Sequence, residues 1–208
     1  MKKIVTILST VLLAVFMLMT GVGQATPIQG ALWDPADTFA ENPGIGPPGG
    51  SPNATFTVNS LDFDSARGTF TYDTWLKGAP ASNPNGLVWV SDPDNIKNSF
   101  YTSSGHGTFF QFTGTAFFPA NVAIRHDDGF WLDLGGTIYD HSGPTVAITD
   151  YLGNLPGTYT FTLRYGAWND FPEVLQAQGV SSVPEPITML LVGFGMLGVA
   201  GIRRKLRS

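Results

Sequence analysis

Apolar and polar residues alternate with a period of two through much of the chain, which is the period of β-strands rather than of helices. The clearest strand has four apolar residues on one face: Tyr159, Phe161, Leu163 and Tyr165. Aromatic, threonine-rich or alternating segments predict further strands at residues 54–58, 68–76, 87–90, 108–118, 122–126, 130–134 and 146–149.

Glycine and proline separate these segments. The chain contains 25 Gly and 15 Pro, and residues 42–53 are too rich in both for regular structure. The body has no uninterrupted helical pattern of useful length. Short strands at regular spacing predict an all-β domain, an antiparallel, jelly-roll-like β-sandwich over residues 54–180. Residues 26–53 form a Pro/Gly-rich segment before it.

The N-terminus has the three parts of a secretory signal peptide. Lys2 and Lys3 form a basic tip, residues 4–19 form an apolar run, and Gly23 and Ala25 form a small-residue cleavage site. We therefore predict that signal peptidase cleaves between Ala25 and Thr26 and removes residues 1–25. An uncleaved membrane anchor is the alternative, and the short apolar run disfavours it.

The C-terminal residues 181–208 form a second three-part signal. Val183, Pro184, Glu185 and Pro186 precede an apolar run at 187–202, and a basic tail ends the chain. The run is slightly shorter than the roughly 20 residues that span a bilayer as a helix. Basic residues beside a membrane segment favour the cytoplasmic side, so we expect the body of the protein to lie outside the cytoplasm.

This arrangement resembles the PEP-CTERM sorting signal of Gram-negative bacteria, whose proteins also carry N-terminal signal peptides. The resemblance implies a transient membrane anchor and cleavage near Pro-Glu-Pro by exosortase, a membrane cysteine protease. It also implies export across the inner membrane to the cell surface or to the exopolysaccharide of an extracellular matrix, as in a biofilm. Retention of the hydrophobic helix as a plain anchor is the alternative.

Charge and composition exclude several functions. Residues 26–182 contain five Lys or Arg and fifteen Asp or Glu, a formal charge of −10. Such a body repels nucleic acids and anionic lipid surfaces, and it suits cations or neutral polar ligands. The chain has no cysteine, which excludes disulfides, thiolate metal sites and thiol catalysis.

The sharpest local feature is the pair Asp127-Asp128 followed by Gly129. Asp-Gly is a favoured two-residue turn, so the simplest interpretation is a β-hairpin that joins the strands predicted at 122–126 and 130–134. Adjacent carboxylates also repel each other, and a hard cation with oxygen ligands offsets this repulsion. A metal site is therefore the second interpretation.

The pattern His-Asp-Asp-Gly-x-x-Leu from His126, with the later segment 155–165, is similar to the protective-antigen-like β-sandwich domain. Lectin domains of yeast flocculins and epithelial adhesins belong to that group. In those lectins an aspartate pair holds a calcium ion that also binds sugar hydroxyls. The resemblance implies the same role, in calcium and ligand binding, for Asp127 and Asp128.

The loop after the strand at 159–165 stands where those lectins supply an asparagine and backbone carbonyls. The resemblance therefore implies Asn169, and next to it Asp170, as further metal ligands. Trp168 in the same loop is a candidate for stacking on a sugar ring, and a position in the core is its alternative.

Other combinations of residues predict no chemistry. His106, His126 and His141 lack the close spacing of a zinc-binding set such as His-x-x-x-His. The chain shows no pair of carboxylates at a fixed gap for glycoside hydrolysis and no Gly-x-Ser-x-Gly elbow. We therefore predict no catalytic residues.

These observations predict a non-enzymatic protein of the cell surface or extracellular matrix that binds calcium and glycan through an aspartate pair. Exosortase and signal peptidase are the expected processing partners, and exopolysaccharide is the expected ligand. A ligand-free structural module of the matrix is the first alternative, and a polysaccharide hydrolase is the second.

Overall fold

Antiparallel β-strands make up most of the body of this protein. A computed structural model of the chain describes residues 26–34, 36–64, 71–78, 85–92, 107–143, 146–168 and 173–183. The predicted signal peptide and the predicted sorting helix lie outside these residues. Across the described ranges, no helix has the length and apolar character needed to cross a membrane.

The described residues form eleven strands and three short helices. The strands are β1 (Ile28–Trp33), β2 (Ala54–Val58), β3 (Ser60–Asp64), β4 (Asn85–Trp89), β5 (Thr108–Phe118), β6 (Val122–His126), β7 (Phe130–Leu134), β8 (Thr137–His141), β9 (Ile148–Gly153), β10 (Gly157–Ala167) and β11 (Val174–Ser182). The helices are α1 (Asp37–Glu41), α2 (Tyr72–Gly78) and a 3-10 turn at Pro43–Ile45.

The strands belong to one hydrogen-bonded network in which every pair is antiparallel. Seven strands follow the order β4-β2-β1-β5-β10-β7-β8. The other four are β3, β6, β9 and β11. Among them β11 pairs with β3, with β6 and with the end of β5, and β9 pairs with β6. The two groups share a core, in which Phe63 of β3 stacks on Phe112 of β5 with ring centroids 5.6 Å apart. The prediction of an all-β, antiparallel fold is confirmed.

Several strands begin and end at the predicted residues. The predictions at 54–58, 108–118, 122–126 and 130–134 coincide with β2, β5, β6 and β7. β1, in contrast, lies in the Pro/Gly-rich segment before the predicted sandwich, and it pairs with both β2 and β5. Its residues Ile28 and Leu32 are fully buried.

The strand predicted at 68–76 is wrong, because its C-terminal part forms the helix α2. Tyr72, Trp75 and Leu76 are spaced three and four residues apart and are all buried, so a helical face fills the core there. The Thr71 hydroxyl accepts a hydrogen bond from the Thr74 backbone N–H at 3.1 Å, which caps the start of the helix.

Trp75 of α2 contacts the end of β10 and the residue that precedes β11. The Trp75 ring stacks on the Tyr165 ring with centroids 6.2 Å apart. The Trp75 indole N–H also donates to the backbone carbonyl of Glu173 at 3.0 Å. Trp75 therefore contacts one residue that precedes the stretch 169–172 in the sequence and one that follows it. That stretch lies outside the described ranges.

The helix α1 packs directly against Gly166 at the end of β10. A Cβ atom at Gly166 would lie 1.8 Å from the Ala40 carbonyl oxygen, so only glycine fits. The Gly166 N–H donates to the Gly129 carbonyl at 2.9 Å, which ties β10 to the segment between β6 and β7.

We predict that Gly166→Ala destabilises the protein, because the added methyl group meets backbone atoms of α1 that cannot rotate away. Overpacking of this kind costs about 1–3 kcal/mol. Urea unfolding followed by tryptophan fluorescence measures the change. Gly114→Ala is the matched control, because its new Cβ would meet Ile28 at an ordinary 3.5 Å. Equal free energies of unfolding for the two variants would contradict the prediction.

Candidate functional site

Asp127, Asp128 and Gly129 connect two strands that do not pair with each other. β6 pairs with β9 and β11, whereas β7 pairs with β8 and β10. The hairpin interpretation of Asp128-Gly129 is therefore wrong, and Gly129 lacks the positive φ that such a turn requires. A two-residue turn with positive φ at both positions lies instead at Gly135-Gly136, with φ of 60° and 94°, and it joins β7 to β8.

The connection between the two strand groups buries its two aspartates, and a third carboxyl group joins them. Asp127, Asp128 and Glu173 are 3%, 1% and 3% exposed. One carboxylate oxygen from each lies within 4.8 Å of the others. Glu173 immediately precedes β11, and no local pattern in the sequence identifies it. We call these three residues the carboxylate cluster.

Backbone and phenol groups hold the carboxylate cluster in place. Asp127 Oδ1 accepts from the Tyr165 hydroxyl at 2.5 Å and from the Val174 N–H at 2.9 Å. Asp128 Oδ2 accepts from the Trp168 N–H at 2.6 Å. The Tyr165 hydroxyl also lies 3.2 Å from Glu173 Oε2. The ends of β6 and β10 and the start of β11 therefore meet at these oxygens.

The electrostatics of the cluster disfavour three negative charges. Burial, and after it the charge of Asp128, raise the pKa of Asp127 to about 7. Burial and the charge of Asp127 also raise the pKa of Glu173 well above its ordinary value. Burial raises the pKa of Tyr165, so its hydroxyl keeps its proton and acts as a donor.

The two arginines of the described strands are engaged away from the cluster. Arg125 Nη1 donates to Asp64 Oδ2 and to Gln176 Oε1, each at 2.9 Å. The Arg164 guanidinium lies over the Trp131 ring, 4.1 Å from its centroid. Arg125 therefore bonds to side chains outside the cluster, although it lies only two residues before Asp127.

The donor set of the cluster fits a hard divalent cation. Calcium takes six to eight oxygen ligands, chiefly carboxylates, carbonyls and waters. A bound cation would also offset the mutual repulsion of the buried carboxylates. Asp127, Asp128 and Glu173 are the described residues that would hold it.

The other predicted site residues divide between those that the structure describes and those that lie outside it. Trp168 is described and partly buried, and its backbone contacts Asp128. Asn169 and Asp170 lie outside the described residues, so their role as ligands stays a prediction. Thr26 is described and exposed, whereas Ala25 lies outside. Val183 is the last residue described, so Pro184, Glu185 and Pro186 are outside as well.

Comparison with known proteins supports the C-terminal prediction. Residues 182–205 match the PEP-CTERM protein-sorting motif, so the predicted sorting signal is confirmed. This motif implies export and membrane-anchored sorting before processing by exosortase. No curated protein sequence matches the chain.

Two solved structures are similar to the chain. One is the PA14 sugar-binding domain from an RTX adhesin, at 14% identity and a TM-score of 0.47, covering 78% of this chain and 96% of that one. The other is the PA14 domain of the MpAFP antifreeze protein, at 14% identity and a TM-score of 0.47, covering 76% and 86%. Both of these neighbours are described as PA14 domains.

We predict that the metal-free protein loses stability as the pH rises from about 4 to 7. The folded-state pKa of Asp127 is about 7 against an ordinary 3.8, so in this window the folded chain retains a proton that the unfolded chain has released. Each such proton contributes a slope of up to about −1.4 kcal/mol per pH unit to the free energy of unfolding.

Urea unfolding in chelator at several pH values measures this slope, and Asp127→Asn isolates the contribution of the cluster. The amide oxygen that this substitution introduces can still accept from Tyr165 and Val174, but the side chain carries no charge. We expect the variant to be the more stable protein at pH 8 and to show a less negative slope. Parallel stability curves for the two proteins would contradict the assignment.

Proposed function

We propose that the exported body is a non-enzymatic domain of the cell surface or extracellular matrix that binds calcium and, through it, glycan. Asp127, Asp128 and Glu173 supply the protein ligands. The convergence of three buried carboxyl groups within 4.8 Å is the observation that carries this proposal.

A purely structural role explains this convergence less well than a cation does. Removing an ionised carboxylate from water costs several kcal/mol unless another charge compensates it. Protonation compensates the cost only in part at neutral pH and less as the pH rises, because the pKa of Asp127 is about 7. A divalent cation compensates it at neutral pH and above, and that condition favours a ligand over a simple packing role.

The location of the cluster also favours a binding role. Trp168 and Glu173 flank residues 169–172, and both contact the cluster or belong to it. Asn169 and Asp170 lie between these two residues in the sequence, and we propose them as additional ligands. Calcium that retains free coordination positions can bind the hydroxyl groups of a sugar, and Trp168 would offer an apolar surface beside them.

The charge of the body suits a neutral polysaccharide better than an anionic partner. Residues 26–182 carry a formal charge of −10, which disfavours nucleic acids and anionic membranes. The sorting motif implies export, and calcium-binding modules outside the cell commonly operate with dissociation constants of about 10⁻⁴–10⁻³ M. Exopolysaccharide and calcium are thus the ligands proposed at the final location.

A polysaccharide hydrolase would need a different arrangement of carboxyl groups. Glycosidases place two carboxyl groups on either side of the sugar, roughly 5 Å or more apart. In the carboxylate cluster, one oxygen from each residue instead lies within 4.8 Å of the others, and each residue is almost fully buried. This geometry favours binding of an ion over acid–base attack on a sugar.

We predict that excess calcium raises the melting temperature of the purified protein relative to chelator. A cation at about 100 times its dissociation constant adds roughly 2.7 kcal/mol of stability. For a domain of this size that corresponds to a rise of about 5–10 °C. Differential scanning calorimetry measures the change.

Two variants and a matched control test whether calcium binds at the carboxylate cluster. Asp128→Asn and Glu173→Gln should abolish most of the calcium-dependent rise, whereas Glu41→Gln, at an exposed position, should leave it intact. An unchanged melting temperature of the wild-type protein in calcium would refute the calcium site and would favour the ligand-free structural module.

Glycan retention tests the second part of the proposal. We predict that immobilised exopolysaccharide, or a broad glycan panel, retains the wild-type protein in calcium but not in chelator. Asp128→Asn should lose retention, and Glu41→Gln should keep it. Calcium binding without any glycan retention would reduce the role of the ion to structural stabilisation. Polysaccharide cleavage that survives chelation would instead support a hydrolase.

We also predict that replacing Pro184, Glu185 and Pro186 together by alanine blocks processing of the chain by exosortase. The expected result is a larger precursor that accumulates in the membrane fraction, seen by immunoblotting of a tag placed in the body. Glu41→Ala serves as the control. Normal size and release of the triple variant would contradict the proposed use of the motif.

A further inference from the structure

A second group of metal-binding side chains lies beside the carboxylate cluster. His126 ends β6, His141 ends β8 and Asp150 lies on β9. Asp150 Oδ2 is 3.1 Å from His126 Nε2 and 2.9 Å from His141 Nδ1. The two imidazole rings have their centroids 5.0 Å apart. We call these residues the histidine cluster.

The spacing of these atoms is close to that of ligands around one metal ion. The candidate ligand atoms of His126, His141 and Asp150 all lie within 4.8 Å of one another. Ligands of a tetrahedral zinc ion lie about 2.0–2.2 Å from the metal, and therefore roughly 3.3–3.5 Å from each other. Asp150 Oδ2 lies slightly closer than this to both nitrogens, so the carboxylate would move outward to admit an ion.

The backbone orients one of the two imidazoles as metal-binding histidines require. His126 Nδ1 lies 2.5 Å from the Asp128 carbonyl oxygen. A carbonyl only accepts hydrogen bonds, so Nδ1 carries a proton and donates it, and Nε2 faces the Asp150 carboxylate. Metal-ligating histidines commonly donate their second N–H to a backbone carbonyl in this way. Burial lowers the pKa of His126, which favours the neutral ring. In that form Nε2 carries no proton, and a cation between Nε2 and Asp150 would satisfy both atoms.

The histidine cluster is open to solvent on one side. His126 is fully buried, but the side chains of His141 and Asp150 are 34% and 33% exposed. These two residues line a surface pocket of about 390 Å³ together with Tyr139 and Tyr151. An ion therefore has a path to the cluster, and a small ligand has room beside it.

We propose that His126, His141 and Asp150 form a second metal site that takes a borderline divalent cation, represented by Zn²⁺. Two imidazole nitrogens and one carboxylate oxygen suit zinc and its neighbours in the first transition row better than calcium, which prefers oxygen ligands alone. Three protein ligands leave the fourth position open to water or to a ligand from the pocket.

Zinc titration of the full chain, purified in a mild detergent, tests this site by isothermal calorimetry. Excess calcium is present throughout, so that the carboxylate cluster is not available to zinc. We expect one Zn²⁺ per chain with a dissociation constant in the micromolar range or below. Co²⁺ should bind at the same site and give the visible absorption of a tetrahedral complex.

His141→Ala and Asp150→Asn should each weaken zinc binding at least tenfold. Both residues are partly exposed, so these changes disturb folding less than a change of the buried His126. Asp140→Asn is the matched control, because Asp140 lines the same pocket without belonging to the cluster. Glu173→Gln should keep its affinity for zinc, which distinguishes the two clusters whether or not calcium binds as proposed.

Two results would overturn the inference. The first is the absence of zinc binding to the folded wild-type protein, with folding verified by circular dichroism. The second is an affinity for zinc that His141→Ala and Asp150→Asn leave unchanged, because the ion would then be bound elsewhere.

Discussion

Three carboxyl groups are buried around the Tyr165 hydroxyl. The arrangement of β6, β10 and β11 where they meet depends on this constraint. The end of β6, the end of β10 and the start of β11 meet there, and each provides either a carboxylate or a donor to one. Trp75 adds a bond to the Glu173 backbone from α2. The contacts that build the fold at this point are therefore the same contacts that build the candidate site, and a change in either alters both.

The segment 126–128 contributes side chains to two clusters of different chemistry. Asp127 and Asp128 provide oxygen atoms to the buried carboxylate cluster, whereas His126 provides nitrogen to the histidine cluster. The bond from the His126 ring to the Asp128 carbonyl connects them directly. Hard cations prefer the first donor set and borderline cations the second. The two clusters thus offer donor sets that suit different classes of ion.

Local patterns in the sequence predict strands well and long-range pairing poorly. Aromatic, threonine-rich or alternating segments locate β5, β6 and β7 to the residue, whereas the aromatic segment that contains Trp75 is predicted as a strand and forms α2. The pair Asp127-Asp128 stands out in the sequence, but its interpretation as a hairpin depends on whether β6 and β7 pair, which no local pattern encodes. Glu173 and the histidine cluster escape prediction for the same reason, because they come together only through strands distant in sequence.

The proposed calcium site connects the stability of the body to its location. In a compartment poor in calcium, the raised pKa of Asp127 and Glu173 means that protons are the available means of neutralising the carboxylate cluster. At neutral pH that neutralisation is incomplete, so the fold bears part of the cost of its buried charges. After export, calcium can replace the protons and stabilise the ionised form. On this proposal, export would bring the carboxylate cluster to an environment in which its ionised form is more stable.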